Sequence, residues 1–134
     1  MRFLIDTHIL LWAALDSPRL RGSARQDFEN PENSLVVSVT TMWDIGIKYS
    51  IGKLPLPVAP RDFFAREIAT RRYEVIDVQR PHAEWQAELP FPADGHRDPF
   101  DRLLVSQAIV EGIPLLSGDG RLHAYTTWGL VLRR

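Results

Sequence analysis

Four aspartates stand where the chain's apolar runs stop. Asp6 directly follows Phe3-Leu4-Ile5, and Asp119 comes three residues after Leu116. Asp44 falls in the second turn of an expected helix and Asp101 in the first turn of another. Two unit charges ~4 Å apart repel by about 4 kcal/mol at an effective dielectric near 20. Carboxylates brought together therefore hold a proton or share a cation. With neither His nor Cys among them, the donors are hard oxygens suited to Mg²⁺ or Mn²⁺ rather than zinc. Such a centre serves phosphoryl transfer, because the cation lowers the pKa of water and polarises a phosphate. Each residue also has a plainer role. Asp6 could cap a helix beginning at Thr7, and Asp44 could pair with Lys48 four residues on. Asp101 could be the N3 partner of an Asp98 cap with Pro99 at N1. Asp119 could be the turn residue of Gly118-Asp119-Gly120. The residues alone leave both readings open.

The elements that would position these groups alternate. Phe3–Ile5, Leu35–Val37, Val75–Ile76, Ile113–Leu116 and Leu130–Leu132 read as short strands, the first two and the fourth as buried parallel ones. Helices are expected over Thr7–Leu15, Arg19–Asn30 and Arg61–Arg71, over Pro81–Leu89, and from Asp98 to Glu111 with Gly112 at the C-cap place. After Val37, with Ser38, Thr40 and Thr41 as candidate caps, another helix is expected, with Trp43, Ile47 and Ile51 on one face; Gly52 ends it. A short helix is expected to run to Tyr125. Strand-helix alternation implies an α/β fold, a parallel sheet with helices on both faces. In such sheets ligands meet the carboxyl ends of the strands, where Asp6 and Asp119 fall.

The 134 residues amount to a single expected domain, 1–134. With 45% hydrophobic and 25% charged residues, it can bury an ordinary core. There is no cysteine, so disulfides, thiolate metal sites and cysteine nucleophiles are excluded. The net charge of −1 gives no basic footprint for nucleic acid. Yet 14 of the 16 basic residues are arginine, the side chain suited to bidentate phosphate contacts; GC-rich codon usage would give the same bias. The longest apolar run, Ile9–Leu15, is far short of the ~20 residues that span a bilayer. Asp6 and His8 before it spoil a signal-peptide reading. A complete cytoplasmic protein with no membrane partner is expected. Trp12, Trp43, Trp85 and Trp128 are expected mostly in the core.

Four segments together resemble a known family. Phe3-Leu4-Ile5-Asp6-Thr7-His8-Ile9-Leu10-Leu11-Trp12 is similar to the first motif of PIN-domain, VapC-type toxins. Ser38-Val39-Thr40-Thr41-Met42-Trp43-Asp44-Ile45 is similar to the second, and Arg97-Asp98-Pro99-Phe100-Asp101-Arg102-Leu103-Leu104-Val105-Ser106-Gln107-Ala108 to the third. Leu115-Leu116-Ser117-Gly118-Asp119 is similar to the fourth. The likeness runs the length of the chain in family order.

The resemblance implies a three-layer α/β/α sandwich with a mainly parallel sheet. It implies an Mg²⁺- or Mn²⁺-dependent endoribonuclease acting as the toxin of a bacterial toxin–antitoxin pair. Asp6, Asp101 and Asp119 match the family's acidic ligands; Asp44 stands where such toxins usually carry glutamate, one methylene longer. Thr7 and Ser117 are placed to orient carboxylates or a water. Arg97, Arg102 and His8 are candidate substrate contacts, and Asp98 a possible extra carboxylate or a helix cap. An RNA substrate, a small antitoxin that blocks the acidic groove and a homodimer are implied as partners. Two rivals stand beside this reading. One is a metal-dependent DNA nuclease or phosphatase. The other is a binding module whose site has decayed at Asp44.

Overall fold

The computed structural model describes residues 1–134. Five parallel strands form one sheet: β1 (Arg2–Ile5), β2 (Ser34–Ser38), β3 (Glu74–Ile76), β4 (Leu115–Leu116) and β5 (Leu132–Arg133). Their spatial order is β3-β2-β1-β4-β5. The chain steps from β1 outward to β3, then returns to the other side of β1 to place β4. The crevice between the carboxyl ends of β1 and β4 is therefore a topological switch point. Asp6 N donates to the Leu116 carbonyl at 3.1 Å, so both strands release their following loops side by side.

Residues alternate between two cores because successive strand side chains point to opposite faces. Phe3, Ile5, Val37 and Leu116 enter one core, with residues of α1 (Thr7–Ala14), α2 (Gly22–Glu29), α3 (Val39–Ser50) and α4 (Pro60–Arg71). Leu4, Val36 and Leu115 enter the other, with α6 (Pro99–Glu111) and the Gly120–Trp128 3₁₀ helix; α5 (Arg80–Glu88) packs on α6. The expected sandwich is thus present. No helix is long and apolar enough to cross a membrane. Gly112 ends α6 in the left-handed region, φ 67°, which costs a glycine little.

Trp43, Ile47 and Ile51 do share one face of α3, but it is the outer one, 63, 36 and 58% exposed. The helix turns Thr40, Thr41, Asp44 and Ile45 inward instead. Its polar stripe is the buried one because the Thr7 hydroxyl and the Gln107 amide satisfy it. None of the four tryptophans is fully buried either; Trp85 is as exposed as a surface residue. Trp12 packs against the first core and Trp128 against the second, each half-buried.

Candidate metal centre

The acidic groups are positioned by the termini of three helices. Asp6 caps α1: its Oδ1 accepts from Ile9 N at 2.8 Å. Its other oxygen accepts a hydrogen bond from the Ser117 hydroxyl. Ser117 Oγ in turn accepts from Asp119 N at 3.0 Å. One hydroxyl thus ties the end of β1 to the loop after β4. Burial raises the Asp6 pKa, with the nearby Asp101 charge adding to it; the Ser117 and Ile9 hydrogen bonds oppose the rise.

Asp98 caps α6, accepting from Asp101 N at 2.9 Å. The extra-carboxylate reading of Asp98 gives way to the cap. Its carboxylate serves a backbone N–H and acts on the site only as a neighbouring charge. Asp101 is freed by that cap to turn inward, where His96 Nε2 lies 3.0 Å from its Oδ2. Burial raises the Asp101 pKa, the Asp98 charge raises it further, and His96 counters both. Asp119 is lowered by hydrogen bonds from Arg121, whose Nη2 lies 2.8 Å from its Oδ2.

His96, Asp101 and Asp119 offer ligand atoms that all lie within 4.8 Å of one another. This set fits a divalent cation, because burial and the Asp98 charge leave Asp101 short of counter-charge and Asp119 stands beside it as a second hard oxygen donor. His96 stands with the oxygens read from the sequence, and with Nε2–H donated to Asp101 it orients that carboxylate. Asp6 adjoins the group through Ser117, while Asp44 stands further back. Asp44 is buried, accepts from the Thr7 hydroxyl at 3.1 Å and lies 3.0 Å from Lys48 Nζ. The pairing with Lys48 and a place beside the site therefore hold together. Thr7 and Ser117 are both spent on carboxylates.

His96 was given no role from the sequence. Asp94 and Gly95 before it make the turn that sets it: Asp94 Oδ1 accepts from His96 N at 3.0 Å. Its ring is buried edge-on against Tyr125, whose hydroxyl lies 2.8 Å from Nδ1. The assignment satisfying every atom has Arg102 donating to Tyr125, Tyr125 donating to Nδ1, and Nε2–H donating to Asp101. A histidine two residues before an Asp-Pro helix start was the only available signal. Gln107 was also passed over as a structural group. Its Oε1 accepts from Ser38 at 2.6 Å and Thr40 at 3.2 Å, locking α6 to the end of β2.

The substrate-contact expectation for Arg102 is overturned. Arg102 is 2% exposed, and its guanidinium donates to the carbonyls of Leu89, Pro90 and Gln86 at 2.6, 3.0 and 3.3 Å. It also lies 4.0 Å from the Phe91 ring centroid. A phosphate has no access to it, because the Pro90–Arg97 loop is built around it. Arg97 is exposed over the other approach to Phe91, at 4.4 Å. His8 is exposed beside Trp12, ring centroids 5.8 Å apart.

A family model described as PIN domain matches residues 3–126. A search of curated proteins returns no significant match. Among solved structures, the chain resembles one titled VapBC2 from Rickettsia felis bound to a promoter DNA fragment. The two share 17% identity at TM-score 0.69, covering 99% of this chain and 98% of that one. VapBC-1 from nontypeable Haemophilus influenzae gives 15% identity, TM-score 0.68 and 99% and 97% coverage. FitAcB from Neisseria gonorrhoeae gives 14%, 0.65, and 100% and 97%.

Proposed function

The chain belongs to the PIN-domain family, and from that premise we propose that it is a metal-dependent endoribonuclease serving as the toxin of a toxin–antitoxin pair in the bacterial cytoplasm. The observation that carries this reading is the meeting of Asp6, Asp101, Asp119 and His96 at the carboxyl ends of β1 and β4. Asp101 and Asp119 would hold Mg²⁺ or Mn²⁺ with Asp6 beside them and His96 orienting Asp101. A cation there supplies the charge that lets the carboxylates ionise together, lowers the pKa of water and polarises a phosphodiester. Asp44 accepts from the Thr7 hydroxyl, next in the chain to Asp6, and keeps its own charge balanced by Lys48. Thr7 and Ser117 donate their protons to carboxylates, so neither serves as nucleophile, and the attacking oxygen is left to water.

The partner reading is supported by the outward apolar face of α3. Trp43 packs edge-on against Phe100 of α6, ring centroids 5.4 Å apart, yet remains 63% exposed. An exposed patch of this kind marks a protein contact, and an antitoxin or a second copy of the chain would cover it. Another structure of similar fold is titled a toxin–antitoxin complex from Klebsiella pneumoniae, which supports the antitoxin.

The test is cleavage of RNA, DNA and a phosphomonoester side by side, with Mn²⁺, Mg²⁺ or chelator. RNA cleavage should require the metal and vanish in Asp6→Asn, whose amide oxygen can still cap α1. Undiminished cleavage by Asp6→Asn, or turnover of DNA or the monoester alone, removes the proposal. Failure to bind Mn²⁺ would favour a binding module with a decayed site.

A further inference from the structure

A cleft of ≈ 550 Å³ opens beside the acidic centre, between α1, the loop leading to α2 and the turn after β4. Arg19, Arg21 and Arg134 line it, and no acidic residue does. None of the three arginines takes part in an ion pair, as is also true of the exposed Arg61, Arg66, Arg72 and Arg97, but these three line one cleft. In a chain of net charge −1, this is a concentrated and uncompensated positive surface.

The cleft is continuous with the site. An adjoining hollow of ≈ 260 Å³ is lined by His8 and Asp119 and shares Trp12, Arg19 and Gly118 with it. Trp12 stands on the boundary. Its six-membered ring presses on Gly118, where an added Cβ would come within 2.6 Å of the ring. Arg134 lies against Gly120, whose added Cβ would come within 3.1 Å of its Nη2. Both contacts fall on the glycines flanking Asp119, so the cleft and the carboxylate are held in one register.

We propose that this cleft is the track along which single-stranded RNA is held as it leaves the metal centre. Arg19, Arg21 and Arg134 take successive phosphates, and the half-buried Trp12 with His8 gives an unpaired base a surface to stack on. This rests on the nuclease reading above and adds where on this chain the strand lies. Arginines beside a carboxylate cluster offset its repulsion of phosphate, and an aromatic face accepts any unpaired base but not one locked in a duplex.

The full-length chain is titrated against a fluorescein-labelled single-stranded 12-mer RNA in EDTA and in Ca²⁺, across a salt series, and assayed separately for cleavage in Mn²⁺. Releasing three phosphate contacts should flatten the slope of log K against log salt by about 2 in the triple Arg19→Gln, Arg21→Gln, Arg134→Gln protein. Trp12→Ala should weaken binding roughly 5- to 100-fold and Trp12→Phe less, the Phe variant guarding against a folding defect. Arg61→Gln with Arg66→Gln, on α4 outside the cleft, should leave binding intact. A wild-type chain that binds RNA and cuts it, but whose cleft variants bind unchanged or no worse than the α4 control, overturns the track and leaves the nuclease. Equal affinity for duplex RNA overturns the single-strand assignment. An oligoglutamate peptide bound as tightly through the same arginines overturns RNA in favour of an acidic polypeptide. A wild-type chain that neither binds nor cuts RNA sinks both readings.

Discussion

His96 Nε2 lies 3.0 Å from Asp101 Oδ2, and Tyr125 holds the opposite ring nitrogen at 2.8 Å. The carboxylate is therefore aimed by a buried imidazole that has little freedom to rotate. Groups that orient a ligand in this way typically govern metal affinity by roughly 10–100-fold. His96→Ala should weaken Mn²⁺ binding by that order in a calorimetric titration, and Tyr125→Phe by less. Unchanged Mn²⁺ affinity in His96→Ala would show that Asp101 needs no such support.

Asp6 and Asp101 both have pKa values raised by burial. A carboxyl whose folded-state pKa is raised gives stability that is fully present below its unfolded value, about 3.9. That contribution is lost as pH rises through the folded value. Asp119, lowered by Arg121, behaves oppositely: its contribution is present above the unfolded value and lost as pH falls. The buried pair resists ionising in metal-free protein, and a bound cation favours the ionised forms. Added Mn²⁺ should thus raise the Tm more at about pH 7.5 than at about pH 5, since binding must otherwise displace protons. An equal rise at both pH values would contradict the raised pair.

Gly118 has no room for a Cβ against the Trp12 ring, with contacts of 2.6 and 2.7 Å. Gly118→Ala should cost about 1–3 kcal/mol in denaturant unfolding, the usual range for overpacking. Because the obstacle is one ring, Trp12→Ala should absorb most of that loss. Additive effects in the double variant would place the strain elsewhere.

Arg102 and Arg97 are alike in the sequence and opposite in the fold. Arg102→Met removes the donor for three carbonyls and should destabilise by roughly 3–5 kcal/mol. Arg97→Ala should stay within about 0.5 kcal/mol, as exposed substitutions do. Urea unfolding of the two proteins decides it; equal stabilities would refute the buried scaffold role.

What the sequence determined by itself was local. Apolar runs marked strands at or near their observed places, Asp98-Pro99 marked the start of α6, and Gly112 marked its end, because caps and propensities act over a few residues. Asp6 and Asp119 were legible since strand ends and turns lie next to them in the chain. Spacing could not reveal that α3 faces inward with Asp44 rather than Trp43, because periodicity finds a stripe but not its direction. His96 and Asp101 are five residues apart, but what aims the imidazole is Tyr125, 29 residues further along. Whether Arg102 meets solvent or three carbonyls depended on where the Pro90–Arg97 loop closed. Only the tertiary structure decided these, since burial and hydrogen-bond satisfaction depend on neighbours that the fold, not the chain, brings together.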